Sequence, residues 1–284
     1  MRWWAAVALA LMARAASAGL LVTEVVGRAE VEGQGAVNTL AEIPEGARLA
    51  VAAGARVALV HLKNGREFLL KDGGRYVVTA EGIEGAGGKA VEVLSLPVAN
   101  LPAVRVVPSR VAQAAVVMKE VGLGRPGLGE ILEEESWLVS PVDTTVITDM
   151  PAFAWNAVPG AGRYILTVMA PDGATRWAGS TGETRAALPA DLRLAPGSGY
   201  TWKVEAMQAG KPLATATATF SVAPAGVMER LARLKPGADA PFARRVLYAA
   251  QLREAGATEE AKRMWTALSH ERPDDAVLRR LARP

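Results

Sequence analysis

Arg56-Val57-Ala58-Leu59-Val60-His61-Leu62-Lys63-Asn64-Gly65-Arg66-Glu67-Phe68-Leu69-Leu70 reads as two strands joined by a tight turn. Val57, Leu59 and His61 fall on one face of the first run, at the two-residue period of a strand. Asn64-Gly65 is a turn dipeptide tolerant of positive φ, so a hairpin is predicted about it. Downstream, Arg75-Tyr76-Val77-Val78-Thr79 supplies another strand. Upstream, Gly27-Arg28-Ala29-Glu30-Val31 places Ala29 and Val31 opposite Arg28 and Glu30. Residues 19–100 therefore read as a small β module of paired hairpins, with a glycine-rich loop at Gly82–Gly88 and a further strand about Val91–Leu94.

Four pieces of this module, Gly27-x-Ala29-x-Val31, Ile43-Pro44-Glu45-Gly46-Ala47-Arg48-Leu49, Gly54-x-x-Val57-x-Leu59 and Asn64-Gly65-Arg66-x-Phe68-x-Leu70, resemble a FecR-type domain. Asn64 stands where that family usually has Asp, and Val51 near a usual Thr. The resemblance covers roughly a quarter of the chain and rests on turn glycines and apolar positions. It implies a periplasmic β module. The FecR proteins that regulate sigma factors also carry a membrane span, and no run of ~20 apolar residues follows the N-terminal segment here. A soluble accessory of such a signalling system is the role that the resemblance leaves open.

The 284 residues suffice for two or three domains, and with 50% apolar and 21% charged residues each can bury a core. The chain has no cysteine, which removes disulfides, thiol catalysis and cysteine metal sites. Arg2, the apolar run Trp3–Ala13 and the small-x-small pattern Ala16-Ser17-Ala18 predict a cleavable secretory signal over residues 1–18. The formal charge of +3 is too small to suggest nucleic-acid binding. Positive charge is concentrated at the C-terminus, where residues 224–284 hold twelve lysines and arginines against eight acidic residues.

Residues 101–139 read as a linker holding one possible helix: Ser109 caps it, and Val111, Ala114, Ala115 and Met118 share a face. Gly122-Leu123-Gly124-Arg125-Pro126-Gly127 matches a bare G-x-G-x-x-G, but a helix rather than a strand precedes it and Pro126 interrupts it. It reads as linker. Glu130, Glu133, Glu134 and Glu135 read as a solvated charge cluster rather than a calcium cage.

From Ser140 a second β region begins. Phe153 and Trp155 alternate, as do Tyr164, Leu166 and Val168, and Tyr200, Trp202, Val204 and Ala206. Thr215 to Val222 is the last strand expected. Over residues 140–223 the pattern resembles a fibronectin type III or immunoglobulin-like sandwich, with Leu194-x-Pro196-Gly197-x-x-Tyr200 as its tyrosine corner. Trp155, Tyr164 and Trp202 are expected in its core. Trp177, beside Asp172-Gly173 and Arg176, is the candidate exposed aromatic for stacking a sugar.

From Pro224 the apolar period lengthens to that of a helix. Val227, Leu231 and Leu234 mark a short helix, Phe242–Ala255 and Thr258–His270 two longer ones about Gly256, and Asp274–Ala282 a last one with Val277 and Leu281 inward. Thr258 is expected to cap its helix. Ala249, Gly256, Ala261, Trp265, Leu268 and Pro273 stand at spacings that resemble a tetratricopeptide repeat, with Arg245 at its usual tryptophan. A helical hairpin of other ancestry fits the same residues.

The fold class expected is thus multidomain and mainly β, with an α-helical C-terminal tail. His61 and His270 lie in different modules, and the chain contains no G-x-S-x-G, H-E-x-x-H or P-loop. No catalytic or metal-ligating residues and no cofactor are expected. The function expected is a non-enzymatic, exported envelope protein, periplasmic or extracellular, that binds or scaffolds another envelope protein, with a cell-wall glycan as the alternative ligand. Candidate partner-binding residues are Arg244, Arg245, Arg253 and Trp265 on the helices, since a single repeat leaves an apolar face to be covered.

Overall fold

The computed structural model describes residues 19–86, 91–104 and 137–283. The expected signal segment, the helix from Ser109, the G-x-G-x-x-G stretch and the Glu130–Glu135 cluster lie outside these residues. The chain divides into two compact units, residues 1–101 and 102–284.

The first unit is built from short strands because glycine turns interrupt its apolar alternation every few residues. In chain order they are β1 (Leu20–Val26), β2 (Ala29–Val31), β3 (Gly35–Ala36), β4 (Glu42–Ile43), β5 (Arg48–Val51), β6 (Arg56–His61), β7 (Arg66–Leu70), β8 (Gly74–Thr79), β9 (Gly82–Gly85) and β10 (Glu92–Ser95). They form two antiparallel five-stranded sheets, β10-β7-β6-β1-β4 and β3-β2-β5-β8-β9. Leu20, Val22, Val57, Leu59, Phe68 and Leu70 of the first sheet share one core with Val31, Leu49, Val51, Tyr76 and Val78 of the second. This is the two-layer solution for sheets that are each apolar on one face.

The Asn64-Gly65 hairpin forms between β6 and β7, with His61 opposite Arg66. Its loop is four residues, and only Gly65 is left-handed, at φ 69°. The Gly65 N–H returns to the His61 carbonyl at 2.9 Å, and Asn64 Oδ1 accepts from the Arg66 N–H at 2.9 Å. Asn64 thus acts through its side chain rather than through positive φ. His61 is buried, its Nε2 against the Ala80 carbonyl at 3.0 Å and its Nδ1 facing the Asn64 N–H at 3.4 Å. Ala58 and Val60 are as buried as Val57 and Leu59, since β6 is a central strand covered on both faces. Gly82–Gly85 is a strand paired with β8, not a loop.

In the second unit, β11 (Leu138–Ser140), β12 (Thr144–Val146), β13 (Ala152–Trp155), β14 (Arg163–Met169), β15 (Thr175–Thr181), β16 (Arg185–Ala187), β17 (Gly199–Gln208) and β18 (Lys211–Val222) make a β-sandwich. One sheet is β11-β13-β16 and the other β12-β18-β17-β14-β15. Three strands facing this larger sheet, with β12 parallel to β18, give a fibronectin III-like sandwich. Along β17, Tyr200, Trp202, Val204 and Ala206 are buried in strict alternation. Trp155, Tyr164 and Trp202 are core residues, and Phe153 packs at 5.2 Å from Trp202 and 5.7 Å from Phe220 between ring centroids. The tyrosine corner is present: the Ala195 N–H donates to Tyr200 Oη at 2.8 Å.

Four helices follow: α1 (Ala225–Leu234), α2 (Phe242–Glu254), α3 (Thr258–Glu271) and α4 (Ala276–Ala282). Gly256, at φ 78°, stops α2. The N–H of Gly256 bonds the Arg253 carbonyl and that of Ala257 the Leu252 carbonyl, both at 2.9 Å, which is a Schellman ending. Thr258 does not cap α3. The N-cap is Ala257, and the acceptor comes from the sandwich, where Thr144 Oγ1 takes the Thr258 N–H at 3.1 Å. Glu259 reaches the same loop, accepting from Ser140 Oγ at 2.5 Å and from the Val142 N–H at 2.8 Å. The Thr145 N–H bonds the Gly256 carbonyl at 2.9 Å. A hydrogen-bonded seam therefore joins residues 140–145 to residues 256–259.

In α4 the inward residue is Leu278, fully buried, with Val277 and Leu281 half-buried beside it. The expected inner face was off by one position, because Asp275 is the N-cap and sets the rotation of so short a helix.

Candidate functional site

Thr258, Ala261, Lys262 and Trp265 stand at i, i+3, i+4 and i+7 on α3, so they share one face of that helix. Together with Arg253 from the end of α2, Arg280 and Leu281 from α4 and Arg283 just past its end, they line a cleft of ≈ 450 Å³. Trp265 is 2% exposed, and its indole N–H has no hydrogen-bond partner among the described residues. Ala261 is buried beside it, and Leu281 is half-buried. The walls carry Arg253, Lys262, Arg280 and Arg283, and no acidic residue among the described residues lines the cleft. Unlike Arg245, none of these four side chains has a carboxylate within ion-pair distance among the described residues.

Such an arrangement recognises negative charge beside an apolar group. Four cations gathered in one cleft raise the local potential and attract an anionic partner. Half-buried Leu281 offers apolar surface to a side chain of that partner, whereas Trp265 is itself enclosed by the chain.

The structure brings two of the four helical candidates, Arg253 and Trp265, to this cleft. Arg245 is elsewhere and engaged: its guanidinium forks onto Glu271, at 2.9 Å and 2.7 Å, and lies over the Phe242 ring, as does that of Arg272. That fork holds the Glu271 carboxyl below the usual carboxylate range. Arg244 is half-buried and has a partner within the chain. The apolar face formed by Val246, Leu252, Trp265 and Leu268 is buried within the chain, and Met264 is half-buried. Trp177 is half-buried on the outer strand β15, packed against the sandwich core. A Cβ on Gly179 would stand 2.4 Å from its ring, so the indole lies flat over that glycine.

Lys262 and Arg283 escape notice in the sequence because each is one cation among many. Only their distance from Trp265 along one helix face, or across a helix pair, singles them out. Nearby, burial raises the Glu260 carboxyl above the usual carboxylate range, with Arg263 at 3.5 Å offsetting part of it. Burial, and then the Glu260 charge, pushes the Tyr248 phenol up.

Among the described residues, no three His, Asp or Glu side chains gather as a metal site would need. No helix among them is long and apolar enough to cross a membrane.

No family model matches the chain, and no curated protein matches it. Among solved structures, a part of the chain is similar to FN3tt, at 17% identity over 32% of this chain and 90% of that one, with a TM-score of 0.24. It is also similar to an Fn3-like protein from Clostridium thermocellum, at 20% identity over 31% and 93%, TM-score 0.24. CopC from Methylosinus trichosporium OB3b matches at 18% identity over 32% and 95%, TM-score 0.25. Similarity at this level carries no function across.

Proposed function

We propose that this protein is a non-enzymatic binding or scaffold protein of the cell envelope, exported by residues 1–18, that engages a protein partner through the basic cleft between α3 and α4. The observation that supports this reading is the set of four cations around the cleft that have no ion-pair partner among the described residues. Structural arginines tend to find carboxylates, as Arg245 does with Glu271. A group left unpaired around an apolar recess suits an outside ligand.

Two family readings belong to the same proposal. A FecR-like first unit is supported by Gly27, Gly46, Gly54 and Gly65 lying in left-handed turns, while Ala29, Leu49, Val57 and Phe68 are buried. A tetratricopeptide-like pair is supported by left-handed Gly256 between α2 and α3 and by buried Ala249 and Ala261. The reading assigns no reaction to the chain.

Cross-linking in intact cells, followed by purification of the full chain, tests the proposal when wild type is compared with Arg253→Glu/Arg280→Glu. The expected result is one recurrent acidic protein that the variant fails to retain. Recovery of the same partner by both chains would contradict the cleft as its site. Bound muropeptides in place of a protein would favour a glycan ligand instead.

A further inference from the structure

Lys262 lines two cavities. One is the α3–α4 cleft. The other, of ≈ 400 Å³, lies where Val139 and Ser140 of β11 meet Glu259, Arg263 and Thr266 of α3. β11 is the outer strand of its sheet, and Val139 is 50% exposed, more than Val93, Leu94 or Leu213. The one acidic group lining this second cavity among the described residues is already engaged: the Glu259 carboxylate accepts from Ser140 Oγ and from the Val142 N–H. Arg263 keeps a side chain that is 66% exposed.

We infer, resting on the binding reading above, that the two cavities form one groove across α3 for an extended acidic segment of a partner protein. Its carboxylates would face Arg253, Arg280 and Arg283 at one end and Lys262 in the middle. One apolar side chain would sit against half-buried Leu281, and a second against Val139. The seam that joins Thr144 and Glu259 to the helix and the loop fixes the spacing of these two apolar points. An extended chain alternates its side chains, so it can present two apolar residues on one face and carboxylates between them. A nucleic acid would meet the cations but leave Val139 without an apolar contact. An anionic membrane is flat, whereas both apolar points belong to recesses.

The test is fluorescence anisotropy of a labelled glutamate-rich decapeptide bearing two leucines, titrated with the full chain. The comparisons are the same peptide with both leucines replaced by serine, an oligonucleotide of equal charge, and vesicles of anionic lipid. Lys262→Glu and Val139→Asp alter exposed side chains, and matching thermal unfolding would show that both variants remain folded. Each is expected to weaken the leucine peptide about tenfold, since each puts an acidic group where a carboxylate or an apolar side chain of the peptide would lie, and the serine peptide is expected to bind more weakly than the leucine peptide. If Val139→Asp has no effect while Arg280→Glu abolishes binding, the groove ends at the helical cleft. The inference then fails and the binding reading stands. If the leucine peptide does not bind wild type, or the oligonucleotide or vesicles bind more tightly, both fail.

Discussion

Thr144 Oγ1, on the sandwich strand β12, accepts the backbone N–H of Thr258 at 3.1 Å and so supplies the N-terminal cap of α3. The Thr258 hydroxyl donates to the same oxygen at 3.0 Å. A helix leaves its first amides without internal acceptors, and one of them is met here by a residue more than a hundred positions away. The helices are thereby fixed to the sandwich at the residues that also border the proposed groove.

Thr144→Val keeps the shape of this buried side chain and removes the acceptor. Loss of a cap costs about 0.5–2 kcal/mol, so chemical unfolding of the full chain should show a destabilisation of that order. Thr144→Ser should restore most of it. Equal stability of the valine and serine variants would mean that the cap contributes nothing.

Gly256→Ala should also destabilise. The position is left-handed at φ 78°, and a Cβ there would stand 2.7 Å from Thr145 Oγ1. The conformation alone costs a non-glycine residue about 1–2 kcal/mol. Unfolding of the alanine variant at wild-type denaturant concentration would contradict this.

Tyr200→Phe strips the acceptor from the Ala195 N–H and should cost about 1–3 kcal/mol. Trp155→Ala opens a cavity beside Tyr164 and Trp202 and should cost about 3–5 kcal/mol. Thermal and urea unfolding check both. Unchanged stability of the alanine variant would remove Trp155 from the core.

Two glutamates on α3 should respond to pH with opposite signs. The Glu260 carboxyl is raised by burial, so its contribution is fully present below the unfolded value and is lost as pH rises through the folded one. Glu271 is lowered by Arg245, so its contribution is present above the unfolded value and is lost as pH falls through the folded one. Glu260→Gln should therefore raise the melting temperature at neutral pH and leave it unchanged well below the ordinary carboxylate value of about 4.3. Glu271→Gln should lower it at neutral pH, with the effect fading in acid. Parallel pH profiles for the two variants would contradict the assignment.

Local pattern made much of the fold legible. The Asn64-Gly65 hairpin, the alternation along Tyr200–Ala206, the tyrosine corner and the glycine end of α2 each lie within a few residues of the signal that specifies them. Contacts distant in sequence were not legible. Thr258 looks like a cap because it precedes an amphipathic run, yet the cap is Thr144. β6 looks one-sided because Val57, Leu59 and His61 alternate, yet Ala58 and Val60 are buried too. Arg245 looks free, and only the folded chain brings Glu271 to it across the helix pair. For the candidate site, Arg253 and Trp265 could be named from composition and spacing. Lys262, Arg283 and Val139 could not, because their grouping depends on how α3 sits against α4 and β11.

One groove, on this reading, runs from α4 across Lys262 to Val139. Hydroxyl-radical footprinting of the full chain, with and without the leucine-bearing acidic peptide and read by mass spectrometry, tests it most directly. Val139 and Leu281 are expected to lose reactivity together as the peptide saturates, while exposed Val93 and Leu94 do not change. Protection of Leu281 without Val139, or of Val93 and Leu94 instead, would contradict it.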